Sequence, residues 1–556
     1  MSFELDSLSY ALLASIFSAA ALLSVRNARG PDIHPLLLNT QSDVSRVRYP
    51  GGSAVYRSRM YPNGAPLLST VDRTIRTLRD FYQAAFDKYK SNVFVGKRGD
   101  NKSFNWLNYD AFEKKSKQVY SGLIGTVGLQ PLSDTETSFV GLYAANSPET
   151  LAIELGCHCG GLVTIPISAE STSSHLLHVL EKSRLSVLVI DEGLVERALS
   201  VLTGSKTSVR YLIVLGNVNG SNKEVAEKLN IQVINIKDVE AKGTQDPVEQ
   251  NQPQNTNIAS IYYTTNNAEN GKAGAVLTHK NMVSVIASYL AVIPPQQRIT
   301  PKDRLMHNLP IDNVFGHVLT GLLCVTGGSI AFGDEIGNND VKADVSGVLS
   351  GALEAKPTIY ASGAPFLTQV KENIEKRYGN SFLFRRGLDK KKAYFEDGRL
   401  VEDSKYDMLV FRDIRQKTFG NNIRLLLIDN ELDNGVLAPF FRAVLGTQVL
   451  KTFNRPETSG TTVLSMFYDY LADPKSCGAP LPCNEIKLED LPDQNMTSND
   501  SPNPRGELWI RGNNVFAGYW NDPEATEAVM DADGWYMTFM LGEMMPNGTL
   551  SIIGRK

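Results

Sequence analysis

Between Tyr262 and Asn281 the chain reads YYTTNNAENGKAGAVLTHKN. Its middle, 264–274, holds two hydroxyls (Thr264, Thr265), one amine (Lys272) and two glycines (Gly271, Gly274). An apolar run, 258–263, precedes it, and an amphipathic segment starts near Asn281. Strand, glycine-containing polar loop, then helix is a layout that cradles phosphate. Backbone N–H groups and hydroxyls donate to the oxygens, and a lysine offsets their charge. Glu269 opposes that chemistry: like charges about 4 Å apart repel by about 4 kcal/mol at an effective dielectric of 20. Cys157 and Cys159 form a lone CxC with no second Cys or His pair at metal spacing. They are read as small buried hydrophobes.

The elements that would position the loop are legible as alternating units. Apolar residues recur at helical spacing over 71–90, followed by strands at 139–144, 162–167, 185–190 and 211–215. Helical segments begin at Pro148 and Leu176. This alternation predicts a doubly wound α/β sheet. Residues 238–257 are polar and predict an exposed loop. Further strands are expected at 330–332, 424–428, 449–453, 506–511, 534–537 and 550–553. The charged run 374–406, which contains FRRGLDKKKAYFEDG, reads as a solvated insertion. Residues 30–66 are rich in Pro, Gly, Asn and Arg and predict an extended arm.

At 556 residues the chain is too long for one core. Lys plus Arg is 56 and Asp plus Glu is 60, a net charge of 56 − 60 = −4, which gives no support to nucleic-acid binding. Five cysteines do not make a disulfide framework. The run from Leu8 to Val25 contains no charge, follows Glu4 and Asp6, and precedes Arg26 and Arg29. It predicts a membrane anchor with the rest of the chain in the cytosol, at the endoplasmic reticulum first.

From about Phe104 onward the sequence resembles the long-chain acyl-CoA synthetases of the adenylate-forming, AMP-binding superfamily. Their loop typically reads YTSGTTGxPKGxxLTH. VGLYAANSP at 140–148, LVTIPI at 162–167, CGAPLPCNEIKL at 477–488, PRGELWIRGNNVFAGY at 504–519 and DGW at 533–535 match the family scaffold in order. The resemblance implies a large adenylate-forming domain with two packed α/β subdomains and a small β-rich region. It divides the chain into an anchor (1–30), an arm and helical region (31–103), an AMP-binding-like body (104–505) and a β-rich end up to the hinge (506–556). The family's small C-terminal lid is expected to be absent, since the sequence stops at Lys556.

The resemblance also implies substrates: ATP with Mg²⁺, a fatty acid and coenzyme A. Thr264, Thr265, Lys272, Phe453, Glu457 and Thr458 fall at nucleotide positions, Glu457 being the carboxylate for Mg²⁺. Other family positions are lost. Asn266, Asn267, Ala268 and Glu269 replace the loop core, Asn313 replaces a histidine and Pro456 a threonine. Met540 replaces the ribose-holding aspartate and Gly554 the hinge aspartate. A charged acceptor lost from two ribose hydroxyls is worth about 1.5–3 kcal/mol. The substitutions gather where ATP would lie. The expectation is therefore a membrane-anchored, synthetase-like pseudoenzyme that binds an acyl chain or a partner. The alternative is a working or partial long-chain fatty acid–CoA ligase.

Overall fold

The computed structural model describes residues 6–27, 30–48, 50–61, 64–99, 103–133, 135–263, 273–333, 345–429 and 435–556. Among the described residues the chain is α/β, built on two sheets. The smaller has seven strands in the spatial order Ala275–Thr278, Ile258–Tyr262, Val163–Ile167, Phe139–Tyr143, Val187–Asp191, Tyr211–Leu215, Gln232–Asn235. All its pairs are parallel except the antiparallel edge strand Ala275–Thr278. Strands covered on both faces need near-continuous apolar runs, and Phe139–Tyr143 and Val163–Ile167 are buried at every position.

The larger sheet has fifteen strands. A parallel run through Val93–Arg98, Ser329–Phe332, Arg304–His307, Ile359–Gly363, Leu425–Asp429 and Gln448–Arg455 passes into an antiparallel half. That half holds the β-rich end: Arg505–Gly512, Tyr536–Met544 and Leu550–Arg555. The arm extends it. Ser42–Arg48 and Ala54–Ser58 form a hairpin whose second strand pairs with Asn484–Glu489.

Four expectations differ from the structure. The phosphate-loop layout has an additional strand, Ala275–Thr278, before its helix. Residues 238–257 are not all loop, because Ile236–Gln245 is a helix. It packs on Tyr109–Val127 where two glycines face each other: a Cβ on Gly243 would lie 1.8 Å from Gln118 O, and one on Gly122 2.0 Å from Val239 O. The charged run is solvated along its outer face but is not a loose insertion. Ala364–Tyr378 and Phe382–Glu396 are helices that bury Phe366, Phe384, Lys391 and Phe395. Lys391 Nζ meets Asp407 Oδ1 at 2.8 Å, Arg415 Nη2 meets the same oxygen, and Ser404 N and Oγ donate to Oδ2 at 2.8 and 2.6 Å.

The fourth concerns the N-terminus. Ser7–Asn27 is one helix, yet no helix among the described residues is long and apolar enough to cross a membrane.

Candidate functional site

Thr264, Thr265, Asn266, Asn267, Ala268, Glu269 and Lys272 lie outside the described residues. The flanks of the loop are described. A Cβ on Gly274 would meet the Tyr263 ring at 2.5 Å, so only glycine fits there. Thr278 ends the edge strand and starts the helix His279–Val292. Its Oγ1 accepts from Asn281 N, and Asn281 Oδ1 accepts from Thr278 N at 2.9 Å, a reciprocal cap. The free side of that strand carries segment 517–520: Ala517 N donates to Val276 O (2.9 Å), Val276 N to Gly518 O (3.0 Å) and Trp520 N to Gly274 O (2.8 Å).

The same segment reaches Glu457. Phe516 N donates to Glu457 O (2.8 Å), and Tyr519 Oη donates to Glu457 Oε1 (3.1 Å). The other carboxylate oxygen, Oε2, stands 3.6 Å from Arg455 Nε. Glu457 is 2% exposed and Arg455 7%. This grouping was missed in the sequence, although Arg455 stands two places before Glu457 and Tyr519 ends a recognised scaffold motif. The residues present do not fit the Mg²⁺ that the resemblance assigns to Glu457. A divalent ion on this carboxylate would sit near a buried guanidinium, a repulsion of about 8 kcal/mol at 4 Å and an effective dielectric of 20. Among the described residues no group of three His, Cys, Asp or Glu side chains is placed to hold a metal.

The other candidate positions serve the fold in this conformation. Phe453 is fully buried in the larger core. Thr458 Oγ1 donates to Gly460 O (2.9 Å) and accepts from Thr462 Oγ1 (3.0 Å). Pro456 opens the 3₁₀ turn Pro456–Thr458, a position that suits proline. Asn313 caps the helix Val314–Thr326, its Oδ1 accepting from Phe315 N at 3.0 Å. Met540 is 1% exposed and pairs with Arg555 across a hairpin, where Gly554 pairs with Leu541. An enclosed apolar cavity lined by Tyr289, Leu319, Leu322, Leu427, Leu450 and Phe467 measures about 10 Å³. That is at the lower edge for a single water, so an acyl chain could enter only if the core opened. Cys157 and Cys159 are buried, and burial pushes both thiols up.

Beneath Tyr262 lies a polar network that sequence reasoning did not find. Glu154 Oε1 meets His317 Nδ1 at 2.7 Å, and His317 Nε2 meets Ile311 O at 2.7 Å. A carbonyl only accepts, so Nε2 carries a proton and Nδ1 faces a carboxylate; the pair is imidazolium and carboxylate. Burial works against both charges, but the partner outweighs it, raising His317 and lowering Glu154. On neighbouring elements, burial lowers His158 and His307 to about 4 and His279 to about 3. Burial of its Oδ1 raises Asp312 to about 6.

A pH dependence follows. The three depressed histidines stay neutral when folded and take up protons on unfolding once pH falls below about 6.5. Asp312, raised when folded, gives up one proton between about 6 and 4. The net is about two protons taken up, so stability should fall by roughly 2–3 kcal/mol per pH unit within that window. Glu154 adds loss below about 4.5, and the His317 contribution fades only as pH rises through its raised value. Calorimetric melting temperatures should drop steadily from pH 6.5 to 4, and His158→Gln/His279→Gln should flatten the slope. A flat native profile would remove the account of neutral buried histidines.

Residues 82–520 match the model of a family described as AMP-binding enzyme. Among curated relatives, long-chain-fatty-acid–CoA ligase 5 of Rattus norvegicus is 28% identical over 549 residues, covering 97% of this chain and 76% of that one. Fatty acyl-CoA synthetase A of Dictyostelium discoideum is 29% identical over 533 residues, covering 94% and 75%. Two solved structures share the fold. A long-chain-fatty-acid–CoA ligase from Archaeoglobus fulgidus has TM-score 0.65 at 18% identity and covers 89% and 86% of the two chains. The A domain of a carboxylic acid reductase from Segniliparus rugosus, in complex with AMP and a co-purified carboxylic acid, has TM-score 0.66 at 17% identity and covers 87% and 75%.

Proposed function

We propose a function from one premise: this chain belongs to the AMP-binding enzyme family. Relatives named long-chain-fatty-acid–CoA ligases support an acyl-CoA synthetase-like function, with ATP, coenzyme A and a fatty acid as the family's substrates. The finer proposal is a degenerate member with little or no ligase activity, whose scaffold serves to bind an acyl chain or a partner. Glu457 carries it. The carboxylate at the family's metal position is already held by Arg455 and Tyr519. The substitutions at Asn266, Asn267, Glu269, Pro456 and Met540 act in the same direction. We further propose that the helix Ser7–Asn27 enters lipid, because no charge interrupts it before Arg26 and its large apolar side chains Leu12, Ile16 and Phe17 are exposed.

The competing proposal is a working long-chain fatty acid–CoA ligase, favoured by similarity to named ligases along nearly the whole chain. Calorimetry separates the two. If two or three lost contacts weaken ATP by about 1.5–3 kcal/mol each, affinity falls at least a hundredfold. The expected result is no saturable ATP binding below millimolar concentration, with or without Mg²⁺, and no acyl-CoA above background from fatty acid, ATP and coenzyme A. A tight, Mg²⁺-dependent isotherm would establish the ligase instead.

A further inference from the structure

The arm that follows the N-terminal helix is clamped to the body at two points. At the first, Asp32 Oδ2 accepts from Tyr470 Oη (2.8 Å) and Leu400 N (2.9 Å), while Asp32 N donates to Gly398 O (2.9 Å). At the second, Gln41 Nε2 donates to Asp469 Oδ2 (2.6 Å). Between the clamps, which fix the arm to Tyr470 and Asp469, runs the short turn Pro35–Leu37. Leu36 and Leu37 on this turn are 67% and 47% exposed, and Leu471, next to the clamped Tyr470, is 64% exposed. Exposed large apolar side chains on two segments tied to each other at both ends suit a contact surface.

The N-terminal helix indicates what covers them. Tyr10, Leu12, Leu13, Ile16 and Phe17 are all exposed on it. A helix without a polar face belongs in a core or in lipid, and the body does not cover these side chains. From the helix end at Asn27 to the clamp at Asp32 is at most about 18 Å of extended chain. That is less than the roughly 30 Å hydrocarbon thickness of a bilayer. A helix in lipid therefore brings the clamped leucines to the membrane surface. Arg59, whose Nη1 donates to Thr40 O (2.8 Å), stands beside the arm and suits anionic headgroups. We propose that Leu36, Leu37 and Leu471 form the surface by which the folded body seats on an anionic lipid bilayer. This rests on the proposal that the N-terminal helix enters lipid.

The five native cysteines are buried, so an introduced surface cysteine can be labelled selectively in the full chain. Leu36→Cys, Leu471→Cys and, as a remote control, Val225→Cys would each carry an environment-sensitive fluorophore. The probe is vesicles of phosphatidylcholine with phosphatidylserine. The expected result is that the chain sediments with the vesicles, that labels at 36 and 471 brighten and shift to the blue, and that the label at 225 does not change. Leu36→Asp/Leu37→Asp/Leu471→Asp should weaken vesicle binding by about tenfold or more with an unchanged melting temperature. Sedimentation with vesicles but silent labels at 36 and 471 would overturn this surface and leave the helix proposal standing. A full chain that stays in the supernatant would overturn both. A chain that ignores vesicles but self-associates through these leucines would assign the surface to a second copy.

Discussion

Arg455→Gln should destabilise the protein by about 3–5 kcal/mol and, in the same step, make its melting temperature respond to Mg²⁺ or Mn²⁺. The first effect follows from burial. Glu457 is 2% exposed, and its nearby cation is the guanidinium of Arg455, 3.6 Å away. Removing one partner of a buried ion pair leaves the other charge desolvated. The Tyr519 hydrogen bond remains and places the loss toward the lower end of that range. The second effect is the reason for choosing glutamine, which keeps much of the side-chain volume and removes the positive charge. A divalent ion could then approach the carboxylate, and binding to the folded state alone raises stability by mass action. Thermal melts with and without 5–10 Mn²⁺ equivalents per chain (on the order of a saturating excess) would read both. The native protein should show no metal shift. A native melting temperature that rises with Mn²⁺ and loses that rise in Glu457→Gln would return Glu457 to the role of metal ligand.

Asp407→Ala should have a comparable effect at a distance from the candidate site. Its carboxylate faces Lys391 and Arg415 and accepts from Ser404 N and Oγ. Lys391 is 1% exposed, and burial already lowers its pKa. Without Asp407 two cations remain where water cannot reach one of them. The loss should be about 3–5 kcal/mol, with fast amide hydrogen exchange along Phe382–Glu396. Lys391→Met offers the contrast. An apolar chain of similar length removes the buried charge, and replacing part of a buried ionic cluster with well-packed apolar atoms can be close to neutral. If Asp407→Ala melts like the native protein, these contacts do not hold the helix to the body.

What was legible in the sequence depended on how each element is held. Phe139–Tyr143 and Tyr211–Leu215 were readable because strands buried on both faces need apolar runs bounded by polar turns. The helix Ile236–Gln245 was missed because it buries only Ile236, Val239 and Gly243. One of these contacts is a glycine whose value lies in the close approach of Gly122, which no propensity reports. The strand Ala275–Thr278 was missed because it runs into its helix without a turn, Thr278 serving both. In the charged run, Lys391 looks like its neighbours until Asp407 and Arg415 are folded against it. At the candidate site, substitutions could be found by comparison with the family loop. The Glu457 pairing could not, because Tyr519 arrives from 62 residues away. Asn313 shows the opposite case: a position counted as a loss is a helix cap.

The pairing of the arm with the antiparallel half of the large sheet has a consequence for biosynthesis. Ser53 and Leu488 share a hydrogen bond across 435 residues of sequence. At about 5–20 residues per second, the ribosome needs roughly 20–90 s to deliver the second after the first. For that time the hairpin Ser42–Arg48 with Ala54–Ser58 is outside the exit tunnel and its pairing strand does not yet exist. A two-stranded hairpin alone is marginal in water, and an open strand edge invites pairing with another chain. The nascent protein is therefore an early and prolonged client for any factor that shields strand edges. The arm leaves the ribosome well before the strand it pairs with and settles only after that strand arrives.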